Sequence, residues 1–140
     1  GVSIVYKEDG CPKSQVDKYN SSVIIIMSFI KISYYPQRGA GPVKDFLDEL
    51  SIRRPEAWIK LMLDLEILGA EGLRSKQITI RPLGQALWEL KRLFVGIQYR
   101  IFFCVENGEA WLLHVIEKKS AKTPLDAIRL SRKRMRGLFL

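Results

Sequence analysis

Apolar and polar positions alternate over a short stretch near residue 30, and this is the first ordered pattern in the chain. Ile30, Ile32 and Tyr34 share one face, with Lys31 and Ser33 between them. An alternation of period two is typical of a strand that is buried on one side. The pattern therefore predicts a strand that ends near Tyr34.

The domain boundary is predicted from the same change of pattern. Residues 1–26 show no sustained period and contain a turn-rich stretch around Gly10 and Pro12. We expect residues 1–26 to be an extension that is poorly ordered or not native. We expect residues 27–140 to form one folded domain, with Met27 as its natural start.

Two helices are predicted next, joined by a few residues. Pro42 stands at a favourable first helical position, and the apolar residues that follow recur at helical spacing: Val43, Phe46, Leu47 and Leu50. A second helix begins near Pro55 and keeps its apolar spacing until Gly69, a residue type that often ends helices. Together they predict a helical hairpin.

After Gly72 the pattern returns to alternation and predicts short strands. Asn107 and Gly108 form a strong hairpin signal between the last two of them. The predicted strands cover 78–80, 87–91, 99–105 and 110–118. In the last one, simple alternation places Trp111, Leu113 and Val115 on one face and Leu112, His114 and Ile116 on the other.

A basic amphipathic helix is predicted at the end of the chain. Thr123 is a suitable N-cap, Pro124 a suitable first residue, and Asp126 an acid at the favourable end of the helix dipole. The element order is then β-α-α-β-β-β-α. This order predicts a small α+β fold, with a mainly antiparallel sheet, an N-terminal helical hairpin and a C-terminal helix.

Composition excludes several classes of protein. The chain has 140 residues, a net charge of +8 and a pI near 9.7. One His and two Cys cannot supply the four ligands of a structural zinc site, and they fit no disulfide framework. The longest apolar run, residues 23–30, is far shorter than the ~20 residues of a membrane span. We expect a cytoplasmic protein that needs no metal or other cofactor and has an anionic partner, with nucleic acid the first choice.

The positive charge is concentrated in the second half of the chain. Residues 74–100 hold six basic side chains against Glu89 alone, and residues 117–140 hold eight against Glu117 and Asp126. The predicted helical hairpin, by contrast, is slightly acidic. This segregation favours a binding surface, although a solvated basic rim is the simpler alternative.

Four segments of the chain carry a resemblance to a known family. In chain order they are 42–47 (PVKDFL), 87–91 (LWELK), 99–101 (YRI) and a longer one from Leu112-Leu113-His114 through Lys118-Lys119 to Lys122-Thr123-Pro124. From Ile30 onward, over about 110 residues, the sequence resembles the phage-derived HigB-type toxins of the RelE/ParE superfamily. These proteins are the toxic halves of bacterial type II toxin–antitoxin pairs, so the resemblance implies the RelE/ParE-like fold.

The resemblance also implies an activity and partners. It implies a ribosome-dependent endoribonuclease that cuts mRNA by metal-independent attack of the 2′-hydroxyl. Its partners would be the ribosome with its mRNA and a cognate helix-turn-helix antitoxin. Relatives in the superfamily instead poison DNA gyrase, and fold alone does not choose between these activities. The alternatives are therefore a gyrase-directed binding toxin and a non-catalytic basic nucleic-acid-binding phage remnant.

Candidate site residues follow from the resemblance. Lys91, Arg100 and Lys119 match positions where basic side chains line the cleft of the superfamily. On the predicted strands all three can converge near one edge of the sheet. Arg100 would hold the scissile phosphate, and Lys91 or Lys119 would clamp phosphate or act as general acid or base. The tyrosine that the best-known members carry near the final helix is absent, which leaves the acid/base open.

Other residues complete the predicted site. A track along the RNA backbone is predicted from Arg81, Arg92, Lys118 and Lys122. His114 is a less favoured catalytic candidate, since a lone His between apolar neighbours is more often a packing residue. We interpret three aromatic residues as core rather than as base-stacking surfaces: Trp88, Tyr99 and Trp111. We interpret Cys104 as an unreactive thiol.

Overall fold

The structure is a computed structural model that describes residues 29–120 and 122–139. The predicted extension, 1–26, lies outside the described residues. Among the residues described, no helix is long and apolar enough to cross a lipid bilayer.

Five strands and three α-helices make up the described fold. In chain order they are β1 (Lys31–Tyr34), α1 (Pro42–Arg53), α2 (Pro55–Glu71), a 3-10 turn (Gly72–Arg74), β2 (Thr79–Gly84), β3 (Leu87–Phe94), β4 (Ile97–Glu106), β5 (Glu109–Lys118) and α3 (Leu125–Phe139). The sheet order is β1-β5-β4-β3-β2, with β1 parallel to β5 and the other pairs antiparallel. The class is α+β, as predicted, with a mixed sheet.

The described fold has one strand more than the predicted element order. β2 and β3 are separate strands joined by a tight turn, in which Gln85 and Ala86 both have positive φ, 53° and 70°. Two consecutive positive φ angles are the geometry of a type I′ hairpin turn, for which Asn-Gly is the usual signal. Gln-Ala carries no such signal. The segments 78–80 and 87–91 were nevertheless predicted as separate strands, so the error lies in the element order, which has one strand too few.

The helical hairpin covers one face of the sheet, which we call the hairpin face. α1 begins at Pro42, as predicted, and buries Val43, Leu47 and Leu50. α2 begins at Pro55 and packs its apolar side on the same core. The sheet contributes mainly Leu90, Tyr99, Ile101, Phe103, Leu112 and Val115 to this core.

The predicted end of the second helix at Gly69 is wrong. α2 continues to Glu71, and Gly72 ends it with a positive φ of 76°. Gly69 instead permits a close approach of the chain that enters β1. The Ile30 N–H donates to the Gly69 carbonyl at 2.7 Å, and a Cβ on Gly69 would lie 3.0 Å from the Ile30 carbonyl oxygen.

A β-bulge in β5 changes the predicted alternation of its side chains. His114 pairs with Phe102 and Leu112 pairs with Phe103, so Leu113 is an extra residue on β5. Because of this residue, Leu112 and Val115 lie together on the hairpin face. The predicted grouping of Val115 with Trp111 and Leu113 is therefore wrong.

α3 packs on the opposite face of the sheet, which we call the α3 face. Ala127 and Ser131 are its buried residues, and Ile128, Met135 and Leu138 pack beside them. Their partners on the sheet are Leu87, Phe102, Cys104, Trp111 and Leu113. The sheet therefore has two cores, one on each side.

Candidate nucleic-acid interface

Strand register brings several of the predicted basic residues together on the α3 face. Lys91 on β3 lies directly opposite Arg100 on β4. Arg100 in turn faces Ile116 on β5, and the next pair along is Gln98 with Lys118. Side chains of facing residues project to the same side of a sheet, so Lys91, Arg100 and Lys118 form neighbouring positions of one surface.

Arg100 is an internal residue of this surface. Its exposed fraction is 1%, and its Nη1 donates to Glu89 Oε2 at 2.9 Å. The sequence predicted that Arg100 holds the scissile phosphate directly. In this structure its guanidinium is buried and contacts the Glu89 carboxylate, so Arg100 forms an ion pair inside the protein.

Glu89 is the centre of a buried network that joins β2, β3, β4 and the segment before α3. Arg81 Nε donates to Glu89 Oε1 at 2.7 Å, and the Thr123 hydroxyl donates to Glu89 Oε2 at 2.7 Å. Arg81 Nη2 also donates to the Thr123 hydroxyl oxygen at 3.0 Å. Two guanidinium groups therefore share one carboxylate, which leaves an excess positive charge at this position.

The ionisation of Glu89 follows from these contacts. Burial alone would raise the pKa of this carboxyl, but hydrogen bonds from Arg81, Thr123 and Arg100 outweigh it and hold the pKa below its usual value. Glu89 is consequently a carboxylate at neutral pH. The sequence carried a signal for it, since Glu89 is the one acid among the basic residues from 74 to 100, but its role was not predicted.

Thr123 does not cap α3, contrary to the prediction. Its hydroxyl is directed to Glu89 and Arg81, and α3 begins at Leu125. The first helical backbone bond runs from the Ile128 N–H to the Pro124 carbonyl, at 3.4 Å. Thr123 thus ties the start of α3 to the sheet.

A groove opens beside the start of α3, next to the end of β5. Its volume is about 620 Å³, and its lining residues are Lys118, Ser120, Lys122, Thr123, Pro124, Leu125, Asp126 and Arg129. Lys119 and Lys122 are exposed, and Lys118 and Lys91 are partly exposed. We call this groove the basic groove, and we include with it Lys91, which lies on the same face of the sheet, and Lys119, which follows Lys118 in the chain. Of the predicted cations, Lys118 and Lys122 line the groove itself.

Arg92 lies on the other side of the sheet. It alternates with Lys91 along β3, so its side chain projects to the hairpin face. There its Nε donates to Asp64 Oδ2 of α2 at 2.8 Å, and its Nη2 forms an ion pair with Asp64 Oδ1 at 2.5 Å. The bond to Asp64 raises the pKa of Arg92. Because it does not join the other cations, we do not include Arg92 in the basic groove.

His114 and Cys104 both lie in apolar surroundings on the α3 face. The His114 ring stacks on Phe102, with centroids 6.0 Å apart, and burial together with the nearby Arg134 charge lowers its pKa. His114 is therefore neutral at pH 7. Burial and Glu106 raise the pKa of the Cys104 thiol to about 11, so it is protonated and a poor nucleophile.

The predicted core aromatics are buried to different degrees. Tyr99 is fully buried and Trp111 is buried, while Trp88 is partly buried against the core of the hairpin face. None of them lines the basic groove. Within the described ranges, no group of three His, Cys, Asp or Glu side chains is placed to hold a metal ion.

Comparison with known protein families identifies a family for this chain. No curated protein and no solved structure matches the chain significantly. The model of a family described as "Phage derived protein Gp49-like (DUF891)" matches residues 45–136, about two thirds of the chain. The matched range runs from the start of α1 nearly to the end of α3, and so includes Glu89, Arg100 and the basic groove. The chain therefore belongs to the phage-derived Gp49-like family, which is associated with toxin–antitoxin systems.

Proposed function

We propose that this protein is the toxin of a type II toxin–antitoxin pair and that it cleaves mRNA on the ribosome at the basic groove. The observation that carries the proposal is the grouping of Lys118, Lys122 and Arg129 around one groove, with Lys119 next to Lys118 in the chain and Lys91 on the same face of the sheet. Membership of a phage-derived, toxin–antitoxin-associated family supports the same activity.

The chemistry needs positive charge at a fixed position. Attack of a ribose 2′-hydroxyl on the adjacent phosphate builds negative charge on the phosphoryl oxygens and on the departing 5′ oxygen. Fixed cations stabilise this charge without reorganising, which lowers the barrier to cleavage. Lysine side chains at the rim of a groove can reach a phosphodiester backbone as it passes.

The basic residues have different roles in this proposal. Lys91 and Lys119 either hold the scissile phosphate or act as general base and acid, one taking the proton of the 2′-hydroxyl and the other giving a proton to the departing 5′ oxygen, while Lys118 and Lys122 hold the flanking backbone. Arg100 acts as a positioning residue, because its contact with Glu89 fixes β3 against β4 beneath the groove. Arg81 is half-exposed, with 54% of its side chain accessible, so it can contact both Glu89 and a bound phosphate.

The partners in this proposal are the mRNA with its ribosome and a helix-turn-helix antitoxin, all in the cytoplasm. RNA and ribosomal RNA are polyanions, which suits a groove lined by cations. An antitoxin that inhibits cleavage would have to cover the same groove or prevent its access to the ribosome.

Induced expression in a bacterial host tests the activity. The wild-type chain is expected to arrest growth and to cut mRNA at ribosome-occupied codons, as mapped from new RNA 5′ ends. Lys91→Ala combined with Lys119→Ala should abolish both effects. Lys60→Ala combined with Arg74→Ala is the matched control, because these exposed cations lie on α2 and just after it and the change in charge is the same.

Two other results would overturn the proposal. Growth arrest with intact transcripts and inhibited gyrase would assign the chain to the gyrase-directed toxins. Normal growth at high expression of the soluble wild-type protein would favour a non-catalytic nucleic-acid-binding protein.

A further inference from the structure

The five basic side chains of α3 fall into two groups with different surroundings. Arg132 donates from Nη1 to the Gly84 carbonyl and from Nη2 to the Leu83 carbonyl, both at 3.0 Å. Arg134 donates from Nη1 to the Leu113 carbonyl at 2.7 Å, and its guanidinium lies 5.3 Å from the centre of the Tyr35 ring. These two arginines fasten α3 to the sheet on both sides.

The other three cations face outward, and we call them the α3 row: Arg129, Lys133 and Arg136. All three are exposed, and none forms an ion pair within the described residues. Their spacing of i, i+4 and i+7 places them on one side of the helix, over about 10 Å of its length. The nearby acid Asp126 accepts a hydrogen bond from the Ala127 N–H in its own turn.

The α3 row is continuous with the basic groove. Arg129 lines the groove together with Lys118 and Lys122, and Lys133 and Arg136 continue from it along the helix. The row therefore extends the positive surface of the groove along α3 by two further cations, Lys133 and Arg136.

We propose that the α3 row is a second RNA-binding surface, which contacts the phosphates of double-helical RNA while the basic groove holds a single strand. This inference rests on the proposed function and names the second ligand of the same protein. Three cations over about 10 Å can contact phosphates on both strands of a duplex, which proteins recognise mainly through its shape and backbone.

An anionic lipid surface fits the α3 row less well. Helices that bind membranes place large apolar side chains beside their cations, so that these enter the lipid. The exposed large apolar residues of α3 are Leu125 and Phe139, one before and one after the row and about 20 Å apart along the helix, so no exposed large apolar side chain lies between the cations. A phosphate backbone needs only the cations.

Binding to an RNA duplex without single-stranded parts tests the inference. The purified full chain is titrated with a 20-base-pair RNA duplex at several salt concentrations. The triple variant R129Q/K133Q/R136Q should bind at least tenfold more weakly. The slope of log K against log salt should fall by about two to three, because nearly one counterion is released for each phosphate that a cation neutralises. Glutamine keeps the helix propensity of this segment, and circular dichroism checks that the variant is folded.

A matched triple variant controls for net charge. K31Q/K60Q/R74Q removes three exposed cations from β1, α2 and the 3-10 turn, and it should bind the duplex as tightly as the wild type. Equal weakening in both triple variants would overturn the inference, since binding would then depend only on total charge. Unchanged binding in R129Q/K133Q/R136Q would overturn it directly.

Two further measurements separate this inference from the proposed function. K91A/K119A should lose mRNA cleavage in cells but keep a duplex salt slope close to that of the wild type. If the wild type cleaves no mRNA but R129Q/K133Q/R136Q still loses duplex binding, the proposed function is wrong and the inference about the α3 row is supported. Binding to phosphatidylserine vesicles that depends on the row, without duplex binding, would identify a lipid surface and overturn the inference.

Discussion

The two faces of the sheet carry their charges in different ways. On the hairpin face most described ion pairs join one cation to nearby acids: Lys44 with Asp48 at 2.6 Å, Arg53 with Glu117 at 3.0 Å, and Arg92 with Asp64 at 2.5 Å. On the α3 face Arg38 pairs with Glu109, two arginines share Glu89, two more donate to backbone carbonyls, and the remaining cations are exposed or partly exposed. The α3 face therefore carries more cations than acids.

This difference in pairing determines how much positive potential each face presents to its surroundings. A cation paired with an acid adds little to the external field, whereas a cation that donates to a neutral carbonyl keeps its full charge. Arg132 and Arg134 fasten α3 in place and still contribute positive potential to that side. The α3 face is thus both folded and electropositive, which a face of balanced ion pairs cannot be.

The largest expected effect comes from removing the one acid at the centre of the α3 face. Glu89→Gln keeps the shape of the side chain but removes the buried carboxylate that Arg81 and Arg100 share, and it should lower the free energy of unfolding by about 3 kcal/mol. Urea unfolding at pH 7 measures the loss. Glu66→Gln, an exposed change on α2, is the control and should have little effect.

The pH dependence of stability provides a second test of the role of Glu89. The pKa of Glu89 is lower in the folded protein than the ~4.3 of an unfolded Glu, so its stabilising effect is complete above that value. It is lost as the pH falls through the folded pKa. The difference in stability between wild type and Glu89→Gln should therefore shrink in acid. A constant difference down to pH 2 would contradict the network.

A smaller effect is expected from the pair on the hairpin face. Arg92→Gln leaves the Asp64 carboxylate buried with a weaker partner, but the Arg92 side chain is already 30% exposed, so water reaches the pair. We expect a loss of about 1–2 kcal/mol in the free energy of unfolding. The variant should retain mRNA cleavage after correction for the amount of folded protein. Loss of cleavage in a well-folded variant would show that the hairpin face also binds RNA.

The smallest expected effect concerns His114 on the α3 face. Burial lowers the pKa of its ring below that of an unfolded His, about 6.5, so folding favours the neutral form. Stability contributed by neutral His114 is present above that pH and is lost as the pH falls through the folded pKa. His114→Phe should remove this part of the pH dependence, as measured by melting temperatures from pH 7.5 to 5. It should keep cleavage activity, since a ring stacked on Phe102 is a packing residue.

Local patterns predicted the elements well where they depend on neighbours in sequence. The start of α1 at Pro42, the start of α2 at Pro55 and the hairpin at Asn107-Gly108 each rest on one or two residues whose backbone preferences are strong. The α+β class and the four main segments of strand follow from the same periodicity.

The failed predictions share a physical cause, which is a contact between residues distant in sequence. Gly69 stays within α2 because the chain before β1 packs against it. Thr123 directs its hydroxyl to Glu89, 34 residues away, instead of capping α3. The bulge at Leu113 depends on the register with β4 and cannot be read from β5 alone.

The candidate site was only partly predictable for the same reason. The sequence supplied the basic residues and, through strand pairing, placed Lys91 beside Arg100. It did not distinguish the exposed Lys119 from the buried Arg100, because a side chain's exposure depends on what packs over it. Nor did it assign Arg92 to the opposite face, where Asp64 of α2 lies within reach.

The sequence by itself determined the class of the fold, the order of most elements and the two basic stretches, because propensity, periodicity and charge are local properties of the chain. Only the tertiary structure decided which cations are neutralised and which remain available. A guanidinium near a carboxylate loses its external field, and that distance is set by how β2, β3, β4 and α3 pack together. Glu89 shows both contributions. In the sequence it is one acid in a basic stretch, and in the fold it is the centre of a buried network of hydrogen bonds and ion pairs.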